Sequence, residues 1–172
     1  MTTRNILWGE DGQKWFDEGH AVAIYEAVAK ARDVVHCREV GRDAVRFAMA
    51  STWHPLMQAM LGHMGGTPRM AFEHMPVLWN ATRRGGGELV CVESSGRHAV
   101  TEVRGFPYVG SAAWVQVWLG HHDALLKHLR FTGRPTIELA DPTAGVVRIR
   151  TMWSSALAGR PTGGFGDDGS VK

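Results

Sequence analysis

Thr136-Ile137-Glu138-Leu139-Ala140 and Val146-Val147-Arg148-Ile149-Arg150-Thr151-Met152-Trp153 decide the fold of this 172-residue chain. Apolar and polar residues alternate along both runs, the period of a strand with one buried face. Asp141-Pro142-Thr143-Ala144-Gly145 between them has the chemistry of a turn. Pairing Ile137 with Ile149 and Leu139 with Val147 gathers apolar side chains on one face. The same register sets Glu138 against Arg148 on the other, an oppositely charged cross-strand pair. One apolar and one charged face predict an antiparallel sheet covered on one side only.

Working outward, Gly133 and Pro135 break the pattern ahead of this hairpin. Before them Val115, Trp118, Leu119, His122, Leu125, Leu126 and Leu129 form one stripe at helical spacing, predicting a helix within residues 110–130 that packs on the sheet. Upstream, the β-branched runs Glu88–Glu93 and His98–Val103 flank Ser95-Gly96 and predict a second hairpin, with Cys91 facing Val100 and Val90 facing Thr101. The first half reads as helical. Residues 17–32 are rich in alanine, with Asp17 or Glu18 suited to the N-terminal dipole. Gly41 ends the next connection, and a helix over 42–63 follows, interrupted at Pro55. Thr67-Pro68 opens a helix to Arg83 that Pro76 bends or splits. Residues 1–16 read as irregular or strand-like, anchored by Trp8 and Trp15. The fold class is therefore α+β, with N-terminal helices followed by β-β-α-β-β and an antiparallel sheet covered by helices. Residues 1–156 are expected to form a single α+β domain, and 157–172 a disordered Gly-rich tail.

A net charge of +2 is too balanced for nucleic-acid binding by bulk electrostatics. No apolar run reaches the length of a membrane span. The N-terminus turns acidic at Glu10 and Asp11 and lacks the pattern of a signal peptide, which predicts a cytoplasmic protein. Cys37 and Cys91 form no CxxC pair and read as reduced thiols.

The motifs that could carry chemistry are weak. His121-His122-Asp123 has an HxD spacing, but residues two apart on a helix point about 200° apart, so one metal ion cannot collect both. His121 and Asp123 read as a solvated helix face. His122 lies in the apolar stripe and reads as a core histidine with one hydrogen bond, or more sharply as a polar handle in a ligand pocket or an axial haem ligand. His36-Cys37 does not make a nucleophilic pair, because neighbours in sequence diverge. Gly85-Gly86-Gly87 lacks the lysine of a phosphate loop, no G-x-S-x-G is present, and Arg83-Arg84 read as charges favouring a helix C-terminus. Six of the eight methionines fall between Met49 and Met75, and Trp114 and Trp118 stand one helical turn apart. These read first as packing. If a pocket exists, Met57, Met60, Trp114, Trp118 and His122 are its expected lining.

Gly41-Arg42, Met75-Pro76-Val77-Leu78-Trp79, the Gly-rich break, Tyr108-Val109-Gly110 and the closing strand ending at Trp153 together resemble a paralogous family of unknown function found in myxobacteria, over residues 20–155. The pattern also resembles the wider 4-vinyl-reductase and TRAPP-subunit fold. That resemblance implies a dimerising scaffold that senses small ligands or assembles proteins. It transfers no catalytic residue, and the zinc-binding cysteines of some vinyl-reductase-like domains are missing here. The expectation is a non-enzymatic small-ligand-binding or protein-interaction module, regulatory or sensory, without cofactor. It is expected to be homodimeric or to bind a protein partner, with a small apolar ligand as an option. The alternatives are an assembly or scaffold dimer without a pocket and a histidine-dependent haem or metal protein.

Overall fold

The computed structural model describes residues 16–50 and 66–155. In chain order these form β1 (Phe16–Asp17), α1 (Glu18–Ala31), α2 (His36–Ala50), α3 (Pro68–Thr82), β2 (Arg83–Arg84), β3 (Glu88–Ser94), β4 (His98–Arg104), α4 (Ala112–His128), β5 (Phe131–Asp141) and β6 (Val146–Ser155). The fold is mixed α+β. β3, β4, β6 and β5 lie side by side in that order in one antiparallel sheet, while β1 and β2 pair in parallel as a two-residue clip. Since β4 and β5 are both antiparallel to β6, they run parallel to each other with β6 between them. α4 makes the crossover. Among the described residues no helix is long and apolar enough to cross a membrane.

α4 and α3 pack on the sheet, and α1 and α2 pack against α4. This burial explains the composition of α4: Trp114, Trp118, His122 and Leu126 are buried, and so are Ala113, Val117 and Ala124 on other faces. A helix apolar around most of its circumference is one covered on more than one side. Ser111 caps it by accepting the Trp114 N–H.

Several sequence expectations are corrected here. Helix α2 begins at His36 rather than Arg42, because the Asp33 carboxylate accepts the His36 N–H at 2.6 Å and starts the helix there. Gly41 consequently lies inside α2 instead of ending a connection, and residues beyond Ala50 in the expected helix lie outside the described residues. α3 runs through Pro76 to Thr82, its last turn held by the buried Trp79 and by Asn80. In the first hairpin, Ser95 Oγ accepts the N–H groups of Arg97 and His98 and so moves the turn. Cys91 therefore pairs with Thr101 and Val90 with Glu102, and a bulge at Val92 then brings Glu93 opposite Val100. In the second hairpin Ile137 does face Ile149. A bulge at Glu138 then sets Leu139 opposite Arg148; the Glu138 carboxylate ion-pairs with Arg150, whose register partner is Thr136, while Arg148 donates to Glu102 at 2.7 Å.

Strand β5 also extends back to Phe131, through Gly133 and Pro135. Gly133 is needed there: a Cβ would stand 2.3 Å from Met152 O and 2.5 Å from Leu126 Cδ1. Pro135 is tolerated because β5 is an edge strand. Pairing with β6 runs unbroken through it, so the missing N–H belongs to the open side. At the opposite edge, the Asn80 side chain accepts from Leu89 N (3.1 Å) and donates to Leu89 O (3.2 Å), closing that stretch of β3.

α2 and α4 cross backbone to backbone. A Cβ on Gly41 would lie 2.0 Å from Val117 O, and one on Gly120 would lie 2.1 Å from Arg38 O. Both obstacles are backbone atoms, which cannot swing aside. Gly41→Ala and Gly120→Ala should each destabilise the fold by about 1–3 kcal/mol or more despite the better helix propensity of alanine. Urea denaturation checks this, and an unchanged or raised midpoint would refute the tight crossing.

Candidate functional site

Trp114, Trp118 and His122 recur every fourth residue on α4 and therefore share one face. The structure brings them together ring on ring. Trp114 and Trp118 stack at 6.2 Å, and Trp118 meets the His122 imidazole edge-on at 5.2 Å. The stack continues at one end through Phe106, 4.2 Å from Trp114, to Tyr108, and at the other through Phe72, 5.0 Å from His122, to Trp153. Trp79 joins it at Trp118, 4.7 Å away. All but Tyr108 are buried. Met57 and Met60 lie outside the described residues. Phe72 and Trp79 were not among the expected lining, though their spacing of seven on α3 is the signal that places them on one face.

His122 is fully buried, and its Nδ1 contacts Thr151 Oγ1 at 2.7 Å, tying α4 to β6. Among the described residues its Nε2 has no hydrogen-bond partner, nor has Trp79 Nε1. Burial, opposed by Asp123 and aided by Arg38, pushes the His122 pKa down to about 3. His121, half-buried against Trp118 at 5.3 Å, is also pushed down to about 3, by burial and then by the Arg83 and His122 charges. Both imidazoles are neutral at pH 7. The expectation that His121 and Asp123 form a solvated face is corrected. Asp123 receives a forked pair of bonds from Arg38 (2.7 and 3.0 Å) and another from Arg42 (3.0 and 2.7 Å). Although partial burial works against it, these bonds hold the carboxyl below its usual range. The result is a clamp between α2 and α4 beside the glycine contact.

A second polar cluster was not foreseen. Glu18, the first residue of α1, is fully buried. Its Oε1 ion-pairs with Arg83 Nη1 and its Oε2 accepts the Trp114 indole N–H at 3.1 Å. The Arg83 guanidinium lies 4.1 Å from the Trp79 ring centroid, and burial pushes its pKa down to about 10. Arg83 therefore reaches inward instead of serving the helix dipole, because Glu18 sits where its side chain ends. Gly86 leaves room for this packing, as a Cβ there would meet Trp79 Cζ2 at 3.1 Å and Glu18 Cγ at 3.2 Å.

Of the remaining groups, Ser95, His98 and Glu93 meet at the turn between β3 and β4, with Ser95 Oγ 2.8 Å from His98 Nδ1, His98 Nε2 2.6 Å from Glu93 Oε1, and Arg150 donating to Glu93 Oε2 at 3.2 Å. Cys37 is buried with its thiol pushed up, chiefly by burial, and donates to Tyr25 O at 3.5 Å, while His36 is exposed. Both cysteines are free thiols. Among the described residues no three His, Cys, Asp or Glu side chains are grouped to hold a metal ion. A half-open recess of 180 Å³ lies between α2 and α4, lined by Val45, Arg46, Ala124, Lys127 and His128. It is smaller than the roughly 300–1,000 Å³ of ordinary ligand pockets and shares no residue with the ring stack. No family model matches this chain, and no curated protein matches it.

Two outcomes follow from the buried polar groups. An unfolded histidine takes a proton near pH 6.5, whereas folded His122 refuses it until about pH 3. Between those values the unfolded state binds more protons, so stability falls as pH falls, by about 1.4 kcal/mol per pH unit from His122 alone. Thermal melts from pH 7 to 4 should show a shallower decline for His122→Leu than for the native chain, and equal slopes would contradict the assignment. Glu18→Gln removes the carboxylate that neutralises Arg83 and should cost about 3–5 kcal/mol. Glu18→Gln combined with Arg83→Met should recover part of that loss in urea titrations. Independent, additive losses would argue against the pair.

Proposed function

We propose that this chain is a non-enzymatic binding module, regulatory or sensory, that works by presenting its helical surface to a protein. One observation carries this reading. The buried and half-buried ionisable side chains of the helical layer, Glu18, Arg83, His121, His122 and Asp123, are engaged by ion pairs or aromatic rings within the chain. The two imidazoles, held near pKa 3, are poor proton carriers at neutral pH. Meanwhile Ile24, Val35, Phe47 and Val77 stand exposed on or beside the helices. A core of this kind supplies rigidity, and the surface supplies recognition.

A second reading, a small apolar ligand or a haem or metal held at His122, is favoured by a different observation. Among the described residues, buried His122 Nε2 and Trp79 Nε1 have no hydrogen-bond partner, and Thr151 fixes the far side of the imidazole through its contact with Nδ1. Native mass spectrometry of the purified chain separates the two. The protein-binding reading expects masses at whole multiples of the 18.9 kDa chain with no small-molecule adduct and no Soret band. A stoichiometric adduct that is lost in His122→Leu overturns it in favour of the second.

A further inference from the structure

Past their crossing, α2 and α4 leave a hollow between them. Val45 stands one turn beyond Gly41 and Ala124 one turn beyond Gly120, so both continue the faces that meet at the crossing. With Arg46, Lys127 and His128 they line the 180 Å³ recess. Ala124 is buried and Val45 half-buried, whereas Arg46, Lys127 and His128 are exposed, so the floor is apolar and the rim basic. The rim carries charge that the chain does not answer. Each carboxylate of the two helices already serves an arginine: Glu39 pairs with Arg42, Asp43 with Arg46 at 2.6 Å, and Asp123 with Arg38 and Arg42. Among the described residues no carboxylate pairs with Lys127, or with Arg130, which is exposed two residues past the end of α4. Cations in its last turn suit the α4 dipole. The dipole does not account for an apolar hollow beneath them.

We propose that this recess anchors an acidic segment of a partner protein, one aliphatic or aromatic side chain of the segment entering the hollow and its carboxylates meeting the rim. This rests on the binding-module reading and states the chemistry of the partner. Two features select that occupant. The first is volume. A cavity of about 150 Å³ holds a benzene ring, so 180 Å³ takes one side chain and is too small for a cofactor. Single side chains seated in small pockets are the common anchors of protein interfaces. The second is charge. Surplus cations around an apolar floor favour a partner whose acidic residues flank an apolar one. The exposed apolar side chains of the strands lack this surplus: Ile137 and Leu139 flank Glu138, which is already paired with Arg150. A nucleic acid would need a longer run of cations to track its phosphates, and the chain as a whole carries only +2.

Fluorescence anisotropy tests the proposal on the full chain at low salt. The probe is a fluorescein-labelled octapeptide of glutamate and aspartate with one central phenylalanine. Saturable binding is expected, weakened about tenfold when alanine replaces that phenylalanine. Arg46→Glu combined with Lys127→Glu should weaken it about tenfold as well, with an unchanged circular-dichroism melt because both side chains are exposed. Ala124→Met fills the hollow and should abolish binding; since Ala124 is buried, the charge variants decide the matter if that chain does not fold. No saturable binding overturns the inference. So does equal affinity for the alanine peptide, or affinity unchanged by the charge variants. Oligouridylate or phosphatidylglycerol vesicles that bind more tightly than the peptide, with the same loss in the charge variants, overturn it in favour of another anion. Failure of the peptide leaves the rest of the helical surface, and the binding-module reading, standing. A small-molecule adduct in native mass spectrometry defeats that reading, while the peptide titration still judges the recess.

Discussion

Two carbonyl oxygens set how deeply the helices are layered. Val117 O and Arg38 O fill the space that side chains on Gly41 and Gly120 would take, so α2 rests on α4 backbone to backbone. That contact holds α4 down along the strands, and α4 carries Trp114, Trp118 and His122 to their places among the rings. Arg38 and Arg42 close on Asp123 at the same crossing, where the short separation lets both guanidinium groups reach one carboxylate. Polar bonding and steric fit thus specify the same register of one helix on the other, the agreement between levels that marks a well-determined fold.

The buried chemistry serves the same end. Glu18 and Arg83 join the start of α1 to the end of α3 across a stretch of more than sixty residues, and the Trp114 indole adds α4 to the junction. Breaking such a group leaves a charge in apolar surroundings, so it enforces one arrangement even where an apolar replacement would be equally stable. His122 does likewise between α4 and β6 through Thr151. His122 thereby acts as a strut between a helix and a strand.

Local pattern made part of this legible. The alternation at 136–153 gave a true hairpin as far as Ile137, and the stripe of Trp118, Leu119, His122 and Leu125 marked α4 as the helix on the sheet. The bulges at Val92 and Glu138 were not legible, because alternation continues on both sides of an inserted residue and nothing in composition marks the slip. Gly41 was misread for a related reason. Glycine usually ends helices, and only the approach of Val117 from far along the chain explains one in the middle of α2. The inward turns of Arg83 and Glu18 also depend on distant partners. Of the expected lining, Trp114, Trp118 and His122 do share a face, as helical spacing requires, but spacing alone could not tell a stack of rings from the wall of a cavity.

The treatment of the sheet edges bears on how the chain behaves before it is fully folded. A four-stranded sheet has two rims that could template growth into cross-β fibrils, and β5, at eleven residues, is long for a rim. A proline without its amide hydrogen and an asparagine that mimics a neighbouring strand interrupt those rims at one point each. Concentrated solutions of this protein should therefore resist ordered amyloid growth for as long as Asn80 holds the Leu89 peptide. Thioflavin-positive material should appear first when that clasp is removed.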